Sequence, residues 1–174
     1  MPDPAQPRLP LLRGVVHPWH HDIFGHMNVR HYAPFFDDAT FHLYSALGVS
    51  INEMLDSFGV HIVTARAETN FLRELKAGDI FLIDGAVTRL GTRSCTHHLR
   101  MIHAETGKTH ATYDLTEVFF NPQTRRAAPM PAPILGECTV IVQSSLEVVL
   151  TPLVCATAIR SSLLADSLNC CQLT

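Results

Sequence analysis

The hydrophobic pattern of the chain changes period once, near residue 60, and that change predicts its layout. Tyr32, Phe36, Ala39, Leu43 and Leu47 recur at intervals of three to four residues and define one apolar face of a helix. Pro34 suits a first helical turn and would break an interior, so the helix is expected to start near Tyr32. Asp37 and Asp38 stand early in it, where the helix dipole favours negative charge, and Gly48 is placed to end it. Ser50 and Glu53 have capping-box spacing, which predicts a second, short helix running to about Phe58 and stopped by Gly59. From Val60 the pattern is that of strands: Val60 to Phe71, Ile80 to Leu90, Arg93 to Ala104 and Lys108 to Phe120. Gly78-Asp79 supplies a turn before Ile80, and Gly91-Thr92 and Thr106-Gly107 join the last three strands into an antiparallel meander. A shorter strand, Arg13 to Trp19, is expected before the first helix, with Pro18 marking it as an edge. The sum is an α+β layout, a long helix packed on a strongly curved sheet.

The length of 174 residues fits one domain. Residues 1–11 read as a flexible leader, 12–121 as the domain, and 122–174 as a proline-rich linker followed by an atypical tail. Pro122, Pro129, Pro131 and Pro133 interrupt regular structure in the linker, and the tail has strand-like pieces (Thr139 to Val142, Val148 to Leu150) without turns to pair them. An apolar fraction of 47% with 17% charged residues is that of a globular protein with a buried core. A net charge of −3 gives no basic field, so nucleic acid is not an expected partner. No apolar run reaches the length of about 20 residues that a membrane helix needs, and no signal-like segment is read at the start. The five cysteines have no C-x-x-C spacing, so neither a disulfide framework nor a cysteine zinc motif is expected, and a reducing cytoplasm is the expected compartment.

Candidate chemistry concentrates in His20-His21-Asp22-Ile23-Phe24-Gly25-His26-Met27-Asn28, just before the long helix. A carboxylate on a glycine turn that enters a helix unites a base or nucleophile, backbone N–H groups for an oxyanion and an apolar wall. Asp22 is the catalytic candidate; its bland alternative is a loop cap. His26 can orient water or a carbonyl, or be held by the backbone. Asn28 can touch substrate or cap the helix start. Gly25 allows a conformation or close approach that a β-carbon would block. The histidines at 17, 20, 21, 26 and 31 match no zinc-helix spacing, so no metal is expected there and no cofactor is required. Tyr32 and Phe36 are core by default or walls of an apolar pocket, and Arg73 and Lys76 are surface charges or ligands for an anion. Cys95 has no general base at a telling spacing and reads as a small apolar residue.

The string Asp22 to Asn28, followed by Tyr32 and a Phe/Asp-rich helix, resembles the hot-dog-fold acyl-CoA thioesterases of the 4-hydroxybenzoyl-CoA thioesterase type. The segment Glu68 to Asp79 is also similar to that family's second strand and turn, and the likeness spans about Val15 to Phe120. The resemblance implies a five-stranded antiparallel sheet wrapped around the long helix, and a homodimer or homotetramer with sites at the subunit interface. It implies an acyl-CoA substrate, with Asp22 attacking the thioester carbonyl or activating water and backbone amides holding the oxyanion. It also implies basic side chains near the subunit edge that hold the CoA phosphates, while the histidine and asparagine after the glycine differ from the best-studied members. With the residue readings above, the candidate set is Asp22, His26 and Asn28 for catalysis and Gly25, Tyr32, Phe36, Arg73 and Lys76 for substrate contact. Two alternatives share the frame: a hydratase or dehydratase using His26 with Asp22, and a non-catalytic acyl-CoA binding module.

Overall fold

A computed structural model describes residues 8–136 and 138. Strand β1 covers Leu9–Val15, and a single 3-10 turn at Pro18–His20 leads into the loop singled out above. A second such turn, Val29–His31, runs directly into helix α1, Tyr32–Ala46, and helix α2 follows at Ile51–Phe58. The long strands are β2 (His61–Phe71), β3 (Ile80–Leu90), β4 (Ser94–His103) and β5 (Thr109–Asn121), with a two-residue β6 at Arg126–Ala127. They lie in the order β1-β3-β4-β5-β2, every pairing is antiparallel, and β6 adds to β5. This is the expected curled five-stranded sheet around a long helix, the hot-dog fold.

The apolar stripe of α1 explains the packing. Phe36, Ala39, Leu43 and Tyr44 are fully buried, as are Phe81, Leu99, Met101 and Phe119 on the facing strands. Phe36 stacks on Tyr113 with ring centres 4.9 Å apart, and Phe35 meets Phe81 edge-on at 4.8 Å. These offset and edge contacts are the arrangements aromatic quadrupoles favour. Register shifts at Pro10/Leu12, Thr64/Arg66 and Val87/Arg89 bend the strands around the helix. Gly14 lets β1 cross the ring of Phe81, which a β-carbon there would strike. Ser50 caps α2 by accepting the N–H of Glu53 at 3.2 Å, and Gly59 ends it at φ +64°.

Two boundaries differ from expectation. The first strand is Leu9–Val15, not Arg13 to Trp19, because Pro18 opens a 3-10 turn and Val16 already bonds to the β2–β3 connection through its N–H to Asp79. Part of the supposed leader is therefore strand. Packing also continues past Asn121: Ala128 donates to Phe119, and Met130, Ile134 and Cys138 are buried in the core. The prolines do not abolish regular structure there: β6 lies between Pro122 and Pro129, and Pro133 sits in the first turn of a helical stretch at 132–136, where a proline is tolerated. The strand-like pieces in 139–174 lie outside the described residues.

Candidate active site

The loop from His21 to Met27 closes on itself. His21 and Met27 form an isolated antiparallel bridge, Asp22 N–H donates to the His26 carbonyl at 2.9 Å, and Gly25 N–H donates to the Asp22 carbonyl at 3.2 Å. Asp22 Oδ1 accepts the N–H groups of Phe24 at 2.8 Å and His26 at 3.2 Å. Gly25 sits at φ +80°, a left-handed conformation that side chains disfavour. Asp22 thus fills the loop-cap role with Oδ1, while Oδ2 accepts no hydrogen bond among the described residues.

The β2–β3 connection holds this loop from below. Met27 N–H donates to the Leu75 carbonyl at 2.7 Å, and Ala77 N–H donates to His21 Nε2 at 2.6 Å. His26 Nε2 stands 3.0 Å from Glu74 Oε2, an ion pair when the histidine is protonated. Because His21 Nε2 accepts, that imidazole carries its proton on Nδ1 in the neutral form. Asn28 Oδ1 accepts the N–H of Arg30 at 3.2 Å and caps the turn that feeds α1, and its own N–H donates to the His20 carbonyl.

Desolvation is the largest single influence on Asp22 and pushes its pKa up, but the N–H groups of His26 and Phe24 and the nearby His26 and His21 together outweigh it. The net effect lowers the pKa, so the carboxylate is the form present at neutral pH. Burial, helped by the charge of Glu74, raises the Tyr32 pKa and keeps that hydroxyl protonated.

The structure brings Asp22, Gly25, His26 and Asn28 into one loop and sets Tyr32 at the start of α1 beside Phe71, ring centres 5.0 Å apart. Arg73 and Lys76 lie exposed on the connection that carries Glu74; the Arg73 guanidinium donates to the Thr109 carbonyl at 2.7 Å. Phe36 is wholly inside the core against Tyr113. Around the loop, Ile23 is 93% exposed and Phe24 76%, with Trp19, Val29, Phe71 and Leu72 also bare. Large apolar side chains in such a cluster mark a surface meant to be covered.

Glu74 was not singled out from the sequence: nothing in Arg73-Glu74-Leu75 shows that it meets His26 across 48 positions. A second polar cluster was missed altogether. Tyr44, Cys95, His97 and Glu117 converge beneath α1, all buried. Burial would lower the His97 pKa, but hydrogen bonds to Cys95 and Glu117 and their charges raise it to about 9. Strand alternation was the available signal, since Cys95, His97 and Glu117 all occupy inward positions. Cys95 is therefore not an isolated apolar filler.

The thioesterase-like superfamily model matches residues 16–137. A Staphylococcus aureus protein solved in complex with CoA superposes with TM-score 0.70 at 20% identity, covering 76% of this chain and 82% of its own. A 1,4-dihydroxy-2-naphthoyl-CoA thioesterase from Synechocystis gives 0.67 at 16%, covering 74% and 93%. A DHNA-CoA thioesterase from Staphylococcus aureus gives 0.68 at 15%, covering 81% and 95%. No curated protein matches the sequence. Among the described residues no helix is long and apolar enough to cross a membrane. The chain belongs to the thioesterase-like superfamily and has the hot-dog fold.

Proposed function

We propose that the protein hydrolyses an acyl-CoA thioester to CoA and a carboxylic acid, with Asp22 as general base or nucleophile. The observation that carries this reading is the division of labour within one carboxylate: Oδ1 is fixed by two backbone N–H groups while Oδ2 is left without a bond, and the group is ionised. A thioester needs little acid assistance because its thiolate is a good leaving group, so a positioned carboxylate and an oxyanion site suffice. Asp22 either attacks the carbonyl carbon or takes a proton from the water that does; the C–S bond then breaks and CoA departs as thiolate. The N–H groups of Phe24, Gly25, His26, Met27 and Asn28 are already bonded, so the oxyanion falls to the remaining N–H groups between the loop and α1. His26, steadied by Glu74, orients water or the carbonyl, and Asn28 keeps the loop in register. Gly25 and Tyr32 line the approach, Phe36 backs the pocket from the core, and Arg73 and Lys76 meet the CoA phosphates.

The active unit in this reading is a homodimer. Strand β2 is an edge with only β5 beside it, eleven residues long; at its end Phe71 and Leu72 are bare, as are Ile23 and Phe24 in the loop. A long unprotected edge joined to an apolar patch favours pairing with a second copy. A hydratase mechanism through His26 and Asp22 is less well supported, because the His26 ring bonds to Glu74 and only its backbone reaches Asp22.

Thiol release from benzoyl-, short-, medium- and long-chain acyl-CoA esters tests the reading. Turnover on at least one class is expected. Enoyl-ester hydration without thiol release would favour the hydratase, and binding without turnover the non-catalytic module.

A further inference from the structure

The buried cluster beneath α1 aims more heteroatoms at one point than its hydrogens can serve. Tyr44 Oη stands 2.7 Å from Glu117 Oε2, 3.2 Å from His97 Nε2 and 3.3 Å from Cys95 Sγ. His97 Nε2 is in turn 3.2 Å from Cys95 Sγ and 3.1 Å from Glu117 Oε2. With Glu117 ionised, the hydroxyl, the thiol and Nε2 offer at most one hydrogen each for these five contacts. At most three hydrogens therefore have to be shared among five contacts in a buried site, a demand that a cation in their place would remove.

We propose that Cys95 Sγ, His97 Nε2 and a Glu117 carboxylate oxygen bind one divalent cation of the zinc type, with Tyr44 Oη at the fourth corner. Five of the six separations are 2.7–3.3 Å, against about 3.3–3.6 Å between ligand atoms spaced tetrahedrally at zinc's usual bond lengths, so the ion would spread these atoms by a few tenths of an ångström. The three ligand atoms all lie within 4.8 Å of one another. A mixed sulfur, nitrogen and oxygen set suits a borderline-soft metal, and a thiolate with a carboxylate neutralises a dication in an apolar core. The fold makes the site: Cys95 and His97 are two apart on one face of β4, Glu117 is paired opposite Cys95 on β5, and α1 brings Tyr44.

A Cys–His–Glu nucleophilic relay fits these positions less well. Such a relay places thiol and carboxylate on opposite ring nitrogens. Here both lie at Nε2, and Nδ1 has no partner among the described residues. The cation would serve structure: Tyr44 is twelve residues along α1 from Tyr32, about 18 Å at the helical rise, and every corner is closed. It ties the far end of the helix to the middle of the sheet.

The test uses the full chain without an affinity tag, produced in medium containing zinc so that a buried site can load during folding. Elemental analysis is expected to give about one zinc per chain, falling to background in Cys95→Ser. Protein produced with Co2+ instead is expected to show tetrahedral ligand-field bands and a sulfur-to-cobalt charge-transfer band, the latter absent in Cys95→Ser. If that variant does not fold, the wild-type measurements still decide. Less than about 0.1 metal per chain and no charge-transfer band in the wild type would overturn the proposal. So would a folded Cys95→Ser protein that keeps both its metal and its sulfur band, since another thiol would then be the ligand.

Discussion

The molecule carries two polar clusters at opposite ends of α1, and they solve opposite problems. At the amino-terminal end, Asp22 is held by backbone N–H groups in an open loop among bare apolar side chains. At the carboxyl-terminal end, Tyr44, Cys95, His97 and Glu117 converge on one point in a closed core. A group meant to react is fixed by one atom and left free at another. A group meant to hold is packed among partners and closed to water. Position on the same helix therefore says less about role than the state of each side chain's unused lone pairs.

Breaking the closed cluster should cost most in stability. Glu117→Ala leaves His97 and Tyr44 without their shared acceptor, and loss of about 3–5 kcal/mol is expected by chemical denaturation. Tyr44→Phe keeps the ring packing and removes one donor at 2.7 Å, so about 1–3 kcal/mol is expected from the same measurement.

The open loop should respond differently. Gly25→Ala has room for its methyl group but must hold φ near +80°, which costs about 1–2 kcal/mol of loop conformation. The expected result is a larger loss in kcat/KM than in Tm, read by kinetics and thermal melts on the same sample. The smallest effect belongs to Glu74→Gln. Its partner is His26 and its own side chain is 65% exposed, so stability should move by less than about 1 kcal/mol while KM or kcat changes modestly.

The two clusters also differ in how far the sequence revealed them. Periodicity placed α1, α2 and the four long strands within a residue or two, because each is patterned locally and ended by Gly or a cap: Gly48, Ser50 and Gly59 are examples. The loop was visible because Asp22, Gly25 and Asn28 are neighbours in sequence whose turn chemistry is short-range. The Tyr44–Glu117 cluster was not visible, since its members are spread over 73 positions and only strand register brings Glu117 opposite Cys95. Glu74 escaped for the same reason. The start of β1 was misplaced because Leu9 to Leu12 looks like a leader until it is paired with β3. The stretch after Asn121 looked like a linker because prolines hide the docking of Met130 and Ile134.

The central claim is that Asp22 does chemistry beyond capping its loop, and Asp22→Asn separates the two roles. The amide retains an Oδ1 acceptor for Phe24 and His26 but cannot act as base or carboxylate nucleophile. The decisive measurement is kcat/KM on the best ester together with Tm, for wild type and variant, across pH. The account predicts a fall of about two orders of magnitude or more in kcat/KM with Tm nearly unchanged. Because the Asp22 pKa is lowered, the wild-type acid limb due to this group should lie below its ordinary value of 3.8. Equal activity in the two proteins, or a loss of activity matched by a loss of folded protein, would contradict it.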